Sequence, residues 1–248
     1  MSTRLQGRKA LVTGASSGIG REVAVRFAAE GAAVACGGRD EARTQDTVDR
    51  ITAAGGTAVP VVGDVSEPEG ARAVVEAAAK AIGGIDATEW KNVAEWPVEE
   101  FDLLIRTNLR GPFLVAKYSI PHMLEAGGGA IVHMSSVCAI TVWAGDCGYD
   151  ISKAGLNMLS DHIAVEYGPQ GIRSNTLMPG VIATELHESV MVAMDDGRAF
   201  ERELLSRHPI GRFGDVTEVA DACVFLCAEE AGFLTGANIS IDGGYSRV

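Results

Sequence analysis

Short apolar runs alternate with longer stretches of helical apolar spacing along the whole chain. Lys9 to Thr13 has strand length and enters the glycine-rich Thr13-Gly14-Ala15-Ser16-Ser17-Gly18-Ile19-Gly20. An amphipathic stretch follows to Glu30, Gly31 stops it, and Ala32 to Gly37 reads as a second strand. The pattern then predicts a helix over Glu41 to Ala54, a strand over Thr57 to Val62, and a helix from Pro68 to Ile82 closed by Gly83-Gly84. Pro97 suits the first turn of a long helix, where its missing N–H is not needed. Phe101, Leu104, Ile105, Leu109, Phe113, Leu114 and Tyr118 give that helix its apolar stripe. A strand over Ala130 to Ser136 and a helix from Tyr149 to Gly168 come next, the latter marked by Leu156, Leu159, Ile163 and Ala164. Gly171 to Met178 is a further strand, and Asp215 caps a helix carrying Val216, Val219, Ala220, Cys223, Val224 and Cys227. Ala237 to Asp242 is the last strand. Strict β and α alternation predicts an α/β fold: one domain over residues 1–248, with a parallel sheet covered by helices on both faces.

Composition narrows the partners. The chain has 248 residues, 47% of them hydrophobic and 22% charged, which suits a globular protein with a sizeable core. A net charge of −12 with no basic run argues against duplex nucleic acid and against an anionic membrane surface. No apolar run reaches membrane-spanning length, and the N-terminus lacks a signal-peptide core, so a cytoplasmic location is expected. Five cysteines, an odd number without a CxxC, fit reduced thiols and suggest no metal site. Cys223 and Cys227 share a helix face and read as core packing.

The chemistry begins at the first turn. Strand, glycine-rich turn, helix and strand make a βαβ unit. Gly14, Gly18 and Gly20 let the backbone turn tightly, and a pyrophosphate can approach without a Cβ in its way. The helix N-terminus behind Ser16, Ser17 and Ile19 offers free N–H groups and a positive dipole end to phosphates. The end of the second strand reads Gly37-Gly38-Arg39, with no carboxylate before Asp40. An arginine there can pair with a 2′-phosphate, so NADP is favoured over NAD, with Arg39 as reader and Ser16 as a second phosphate donor. A solvated surface arginine is the plain alternative. Asp64 could accept from an adenine amino group or equally cap the following helix.

Tyr149 and Lys153 lie four apart, one turn from each other on one helix face. An ammonium beside a phenol favours the tyrosinate and lowers the tyrosine pKa, which suits general acid/base work. Ser136 ends a predicted strand with twelve residues before Tyr149, and its hydroxyl could donate to a substrate carbonyl oxygen. His133 reads as packed in or beside that strand. Val137 to Gly148 should line the substrate side, where Trp143 and Ile140 would favour an apolar body and Asp146 and Asp150 add negative charge. A solvated loop is the alternative for those four. Asn108 beside Gly111-Pro112 suggests a helix kink.

Thr13-Gly-x-x-x-Gly-Ile-Gly20, Asp64-Val65, Thr107-Asn108, Ser135-Ser136, Tyr149-x-x-x-Lys153, Pro179-Gly180 and Asp242-Gly243-Gly244 occur in an order that is highly specific. By that set the chain resembles the short-chain dehydrogenases/reductases of the compact type over nearly its whole length. The resemblance implies a Rossmann-like doubly wound fold and NADPH-dependent reduction of a carbonyl to an alcohol, as in 3-oxoacyl thioester reductases and related carbonyl reductases. Ser136, Tyr149, Lys153 and Asn108 would be the catalytic set, with Asn108 holding a water on the proton path to Lys153 or, equally, satisfying the kink. Val65 would lie by the cofactor, and Tyr149 and Lys153 would also touch it. Pro179, Gly180, Ile182 and Thr184 would meet the nicotinamide. The region from Glu185 to Arg207 would be a flap over the substrate, or a plain helical hairpin, and a homo-oligomer, dimer or tetramer, is expected. The stretch Ile85 to Pro97 departs from the family: an apolar fourth strand and its Asn-Asn-Ala-Gly turn are missing, and Ala87 to Lys91 is too polar for a buried strand. Two further readings stay open. One is an NAD-dependent alcohol, hydroxysteroid or polyol dehydrogenase. The other is a nucleotide-binding or regulatory protein that has lost catalysis through that stretch.

Overall fold

A computed structural model of the chain describes residues 3–69, 92–185, 187, 191 and 196–248. The helix expected over Pro68 to Ile82 lies outside these residues from 70 onward, as do residues 85–91 of the departing stretch.

Among the described residues six strands form two parallel sets. In the first, β1 (Lys9–Thr13), β2 (Ala33–Gly38) and β3 (Thr57–Val62) pair in sequence order, with Leu11 opposite Ala35 and Ala35 opposite Val59. In the second, β4 (Gly129–Met134), β5 (Ile172–Pro179) and β6 (Asn238–Ile241) do the same, with Val132 opposite Asn175 and Leu177 opposite Ile239. The middle strands β2 and β5 are almost wholly buried, whereas β1 and β4 are mostly half-buried. Among the described residues each of these two pairs along one edge only, and residues of both line one cleft.

The helices are α1 (Gly18–Ala29), α2 (Glu41–Ala53), α3 (Val98–Ile105), α4 (Gly111–Glu125), α5 (Cys147–Tyr167), α6 (Gly197–Ser206) and α7 (Val216–Cys227). Side chains alternate across a strand, and the two faces of β2 show it. Val34 and Cys36 join Val23, Ala24 and Phe27 of α1 and Val219, Ala220, Cys223 and Val224 of α7 in one core. Ala35 points to the other face, where Val61 and Leu114 of α4 meet it. Ile172 continues that second face with Ala116, Ile120 and Ile163. Helices therefore cover both faces of the parallel strands, as the β and α alternation predicts. Asp215 caps α7 through the Thr217 N–H, and Glu218 returns a bond to the Asp215 N–H at 2.9 Å.

The long helix expected from Pro97 is divided. Between α3 and α4 the chain widens into a π turn over Arg106–Arg110 that buries Thr107 and Asn108. Phe113 does not belong to the buried face of α4, for it stands 47% exposed whereas Leu114, Ala116 and Ile120 are buried. Val93–Glu95 forms a short 3-10 turn, and Trp96 after it is buried.

This helical run rides closely on α5. A Cβ on Gly148 would lie 2.9 Å from Leu104 Cδ1, and one on Gly155 would lie 2.8 Å from Leu109 Cδ2. Ser152, between them on the same face, is fully buried. Gly148, Ser152 and Gly155 thus form a smooth strip at spacings of four and three, which lets the π turn approach the helix bearing Tyr149. Replacing Gly155 by Val should overpack this contact and destabilise the protein by about 1–3 kcal/mol in urea unfolding.

His133 on β4 is buried and its Nε2 has no partner among the described residues. Burial pushes its pKa down to about 4, so the folded state holds it neutral. The unfolded chain takes up the proton near the ordinary value of about 6.5. Its contribution to stability is therefore complete above that pH and falls as pH drops toward the folded value. Wild type should lose roughly 2 kcal/mol more than His133→Leu between pH 7 and pH 5, measured by denaturant unfolding at each pH.

Candidate active site

The glycine-rich turn between β1 and α1 shows why each glycine stands where it does. Gly14 and Gly18 take left-handed φ of 74° and 49°. A Cβ on Gly20 would collide with the Gly14 carbonyl. Two residues not nominated from sequence hold this loop in shape. Arg21 donates to the Ser16 carbonyl at 2.6 Å, and the Thr47 hydroxyl donates to the Ala15 carbonyl at 2.6 Å. Ser17 occupies the N-cap of α1, its carbonyl accepting from the Arg21 N–H at 3.1 Å while its side chain makes no capping bond. The N–H groups of that helix's first turn and its dipole end face the cleft that Ser16, Ser17, Gly18, Ile19 and Gly20 line.

Gly38 ends β2 where a Cβ would press on Thr44 and Ser16. Asp40 is spent as the cap of α2, accepting from the Arg43 N–H at 3.0 Å. Arg39, exposed on the cleft wall, is therefore the first charge beyond the strand end. Asp64 and Val65 stand on the same wall. Asp64 Oδ1 accepts from both the N–H and the hydroxyl of Ser66, at 2.9 and 2.7 Å. The Ser66 hydroxyl bond, helped by the charges of Arg39 and Arg106, holds this carboxyl below its ordinary range. That oxygen closes a local turn onto Ser66, ahead of the helix that starts at Pro68, so Asp64 is not that helix's cap.

Ser136, Tyr149 and Lys153 come together where β4 stops and α5 begins. Ser136 is buried, lines the cleft, and its Oγ accepts from the Cys138 N–H at 3.2 Å. Tyr149 and Lys153 line the same cleft from α5. The Lys153 ammonium stands 5.3 Å from the centre of the Tyr149 ring and donates to the Met134 carbonyl at 3.1 Å. Ser135 donates to the Lys153 carbonyl at 3.1 Å, which ties the strand end to the helix. Asn108 reaches the cleft from the π turn and donates to Ser152 Oγ at 3.4 Å, while Ser152 donates to the Tyr149 carbonyl at 2.7 Å. Ser152 was invisible as a site residue in sequence, and only the helix crossing shows its place.

Pro179, Gly180, Ile182 and Thr184 line the cleft opposite. Ile182 bridges to Gly214, and the Gly214 N–H donates to the Val181 carbonyl at 3.0 Å. Thr184 Oγ1 accepts from the His187 N–H at 3.1 Å, which leaves its O–H to donate. Its methyl carbon would lie 3.8 Å from a Cβ on Gly18, so this loop crosses over the glycine turn. Glu185 follows and pairs with Arg43 at 2.8 Å.

The substrate side differs from the sequence expectation in one respect. Trp143 and Ile140 do not line the cleft. The Arg207 guanidinium lies 4.4 Å over the Trp143 ring, Phe200 meets it edge-on at 5.9 Å, and Ile140 stands half in solvent. A cation on the indole face takes the surface a substrate would use. The apolar wall comes instead from Met191, Phe200 and Leu204. Met194 and Asp195 lie outside the described residues, while Asp196 caps α6 by accepting from the Ala199 N–H at 3.2 Å. Asp150 is half-buried and accepts from the Trp143 N–H at 3.1 Å, and burial pushes its carboxyl up. No group of three metal-ligating side chains occurs among the described residues, and no helix among them is long and apolar enough to cross a membrane.

A nicotinamide dinucleotide fits what is present. The left-handed glycines, the Ser17 N-cap with its hydroxyl unspent on the helix, and Arg39 at the strand end form a cradle for phosphates. The pair Tyr149 and Lys153 sits in the same cleft beyond that cradle.

The profile of the family described as enoyl-(acyl carrier protein) reductase matches residues 14–246. An uncharacterized oxidoreductase of Thermotoga maritima is 36% identical over 250 residues, covering 98% of this chain and 99% of that protein. A cyclohexanol dehydrogenase of Acinetobacter is 34% identical, covering 99% of this chain and 98% of that one. A gluconate 5-dehydrogenase of Burkholderia cenocepacia, solved with NADP and tartrate, superposes with a TM-score of 0.89 at 31% identity, covering 99% of this chain and 98% of that one. With its parallel strands, glycine turn and Tyr149–Lys153 pair, the chain belongs to the short-chain dehydrogenase/reductase family and is an oxidoreductase acting on alcohols or ketones.

Proposed function

We propose that the protein reduces a small carbonyl compound to an alcohol with NADPH, reversibly, using Ser136, Tyr149, Lys153 and Asn108. The observation that carries this reading is the shared cleft: the glycine turn, Arg39, Ser136, Tyr149 and Lys153 all line it. When bound, the nicotinamide supplies the hydride. The chain supplies orientation and the proton. Tyr149 gives its phenolic proton to the carbonyl oxygen as charge develops there. Lys153, whose ammonium lies over that ring, stabilises the tyrosinate that remains. Ser136 still has its own O–H while accepting from Cys138, and donates it to the same oxygen. Asn108, which donates to Ser152 Oγ, would hold a water on the proton path to Lys153, so that solvent restores the proton to Tyr149.

Cofactor choice rests on Arg39. Asp40 is committed to its helix and β2 ends in glycine, so no carboxylate stands where a ribose hydroxyl pair would be read. The apolar wall of Met191, Phe200 and Leu204 favours a substrate with an apolar body. A cytoplasmic homo-oligomer, acting on a small-molecule carbonyl or alcohol without nucleic-acid or membrane partners, fits this reading.

Tyr149→Phe should lower kcat by about 10²- to 10⁴-fold while the dissociation constant for NADPH stays close to wild type. Steady-state assays over a panel of ketones, paired with NADPH fluorescence titration, check both halves. Turnover that survives the substitution removes the proton-donor role. Arg39→Ala should weaken NADPH by about 1.5–3 kcal/mol, on the scale of a hydrogen bond to a charged group, and leave NADH nearly unchanged. Michaelis constants for the two cofactors decide it, and a wild-type preference for NADH sinks the assignment.

A further inference from the structure

His208 follows α6 and is 3% exposed. It does not line the cleft, yet it stands directly behind the Pro179-Gly180-Val181 turn that does. Its two ring nitrogens are both in use. Nδ1 lies 2.8 Å from the Leu204 carbonyl, which can only accept, so Nδ1 carries the hydrogen. Nε2 lies 3.2 Å from the Val181 N–H, which can only donate, so Nε2 carries the lone pair. The two partners together select one neutral tautomer. Phe213 and Tyr245 pack against the ring with centroids at 5.5 and 5.2 Å, and the ring has nowhere to turn. A Cβ on Gly180 would lie 2.9 Å from Nε2, which explains why the turn has a glycine at that point.

The bond to Val181 orients a whole peptide group. The Gly180–Val181 peptide is trans, so the Gly180 carbonyl points opposite to the Val181 N–H. With the N–H drawn back to His208, the turn offers the carbonyl edge away from the histidine. Without the imidazole, that peptide could rotate and present an N–H instead. The histidine also couples this turn to the last turn of α6, the helix whose Phe200 and Leu204 form the apolar wall.

We propose that His208 is a positioning residue for the nicotinamide end of the cofactor: by accepting from the Val181 N–H it fixes which edge of the Gly180–Val181 peptide meets the bound dinucleotide. This rests on the reading that the cleft takes such a dinucleotide. The adenosine end lies along Arg39, Asp64 and the glycine turn, and His208 touches none of these. Its effect is therefore confined to one end of the ligand.

Three variants separate positioning from packing. Gln places a side-chain oxygen near the position of Nε2, and Asn places its amide NH2 near that of Nδ1, where it can donate to Leu204 without reaching Val181. Leu keeps bulk and loses both bonds. Fluorescence titration of wild type, His208→Gln, His208→Asn and His208→Leu with NADPH, beside calorimetric titration with adenosine 2′,5′-bisphosphate, is the test. NADPH should bind about tenfold more weakly to the Asn and Leu variants, the scale of one lost hydrogen bond. It should bind near wild type to the Gln variant. The bisphosphate should bind all four proteins alike. If Gln and Asn lose NADPH affinity equally, or if the bisphosphate weakens in step with NADPH, His208 is a packing residue and the proposal falls. Should the Leu variant fail to fold, the comparison of Gln with Asn still decides. A wild type that binds NADH in preference would overturn the Arg39 reading alone, and the His208 comparison is then read with NADH against ADP. A wild type that binds neither dinucleotide overturns both.

Discussion

The close crossing of two helices at Gly148, Ser152 and Gly155 is the contact on which the reacting end depends. Leu104 and Leu109 come so near α5 there that no side chain larger than serine fits. That approach brings the π turn, and Asn108 with it, within hydrogen-bond reach of Ser152. The same helix carries Tyr149 and Lys153, so one small-residue strip sets the mutual position of three polar groups from two elements. A regular α-helical path through residues 106–110 would shift the register of everything after it by about 100° per residue omitted, given about 3.6 residues per turn. The extra residue of the π turn is what aims Asn108 inward while Leu114 and Ala116 still face the core.

Buried polar groups around this crossing are tied to backbone in a consistent way. Ser135 donates to the Lys153 carbonyl, Lys153 donates to the Met134 carbonyl, and Ser152 donates to the Tyr149 carbonyl. Each bond joins the end of β4 to α5 or steadies α5 itself. Groups that must hold a reacting oxygen within a few tenths of an ångström need such second contacts, since a small misplacement carries a large penalty in rate. The opposite wall is built on the same plan, with Gly214 and His208 gripping Val181 from two sides. The rigidity of this cleft comes from strand ends and helix faces.

Charge is distributed with equal economy. The overall charge is −12, yet Arg39 and Arg43, the latter paired with Glu185, line the cleft, with Arg21 behind the glycine turn. Asp40 is engaged in a helix cap, and Asp46 in pairs with Arg21 and Arg50. On the substrate side Arg207 lies on Trp143 and 3.4 Å from the Tyr245 hydroxyl, which fastens the end of α6 to the C-terminal segment.

Local patterns were enough to mark the strands, the glycine turn, the caps at Asp215 and Pro97, and the order of the motif residues. Each of these is a property of a few neighbouring residues: alternation for strands, helical spacing for helices, and absent side chains where the backbone must turn left-handed. The residues nominated for cofactor and proton handling, from Gly14 to Thr184, line one cleft, because a parallel sheet delivers its strand ends to one edge; Trp143 and Ile140, nominated for the substrate side, do not. What the linear pattern could not decide are contacts between distant elements. Trp143 reads as a substrate wall until Arg207, sixty-four positions later, is seen on its ring. Phe113 reads as part of an apolar stripe until the π turn rotates it outward. His208 carries no signal at all, because its importance lies in the two carbonyl and amide groups it happens to join. Sequence periodicity specifies which elements form and which ends carry chemistry. The tertiary structure alone selects which side chains meet, because that depends on crossing distance and helical phase, and neither is encoded in any short run of residues.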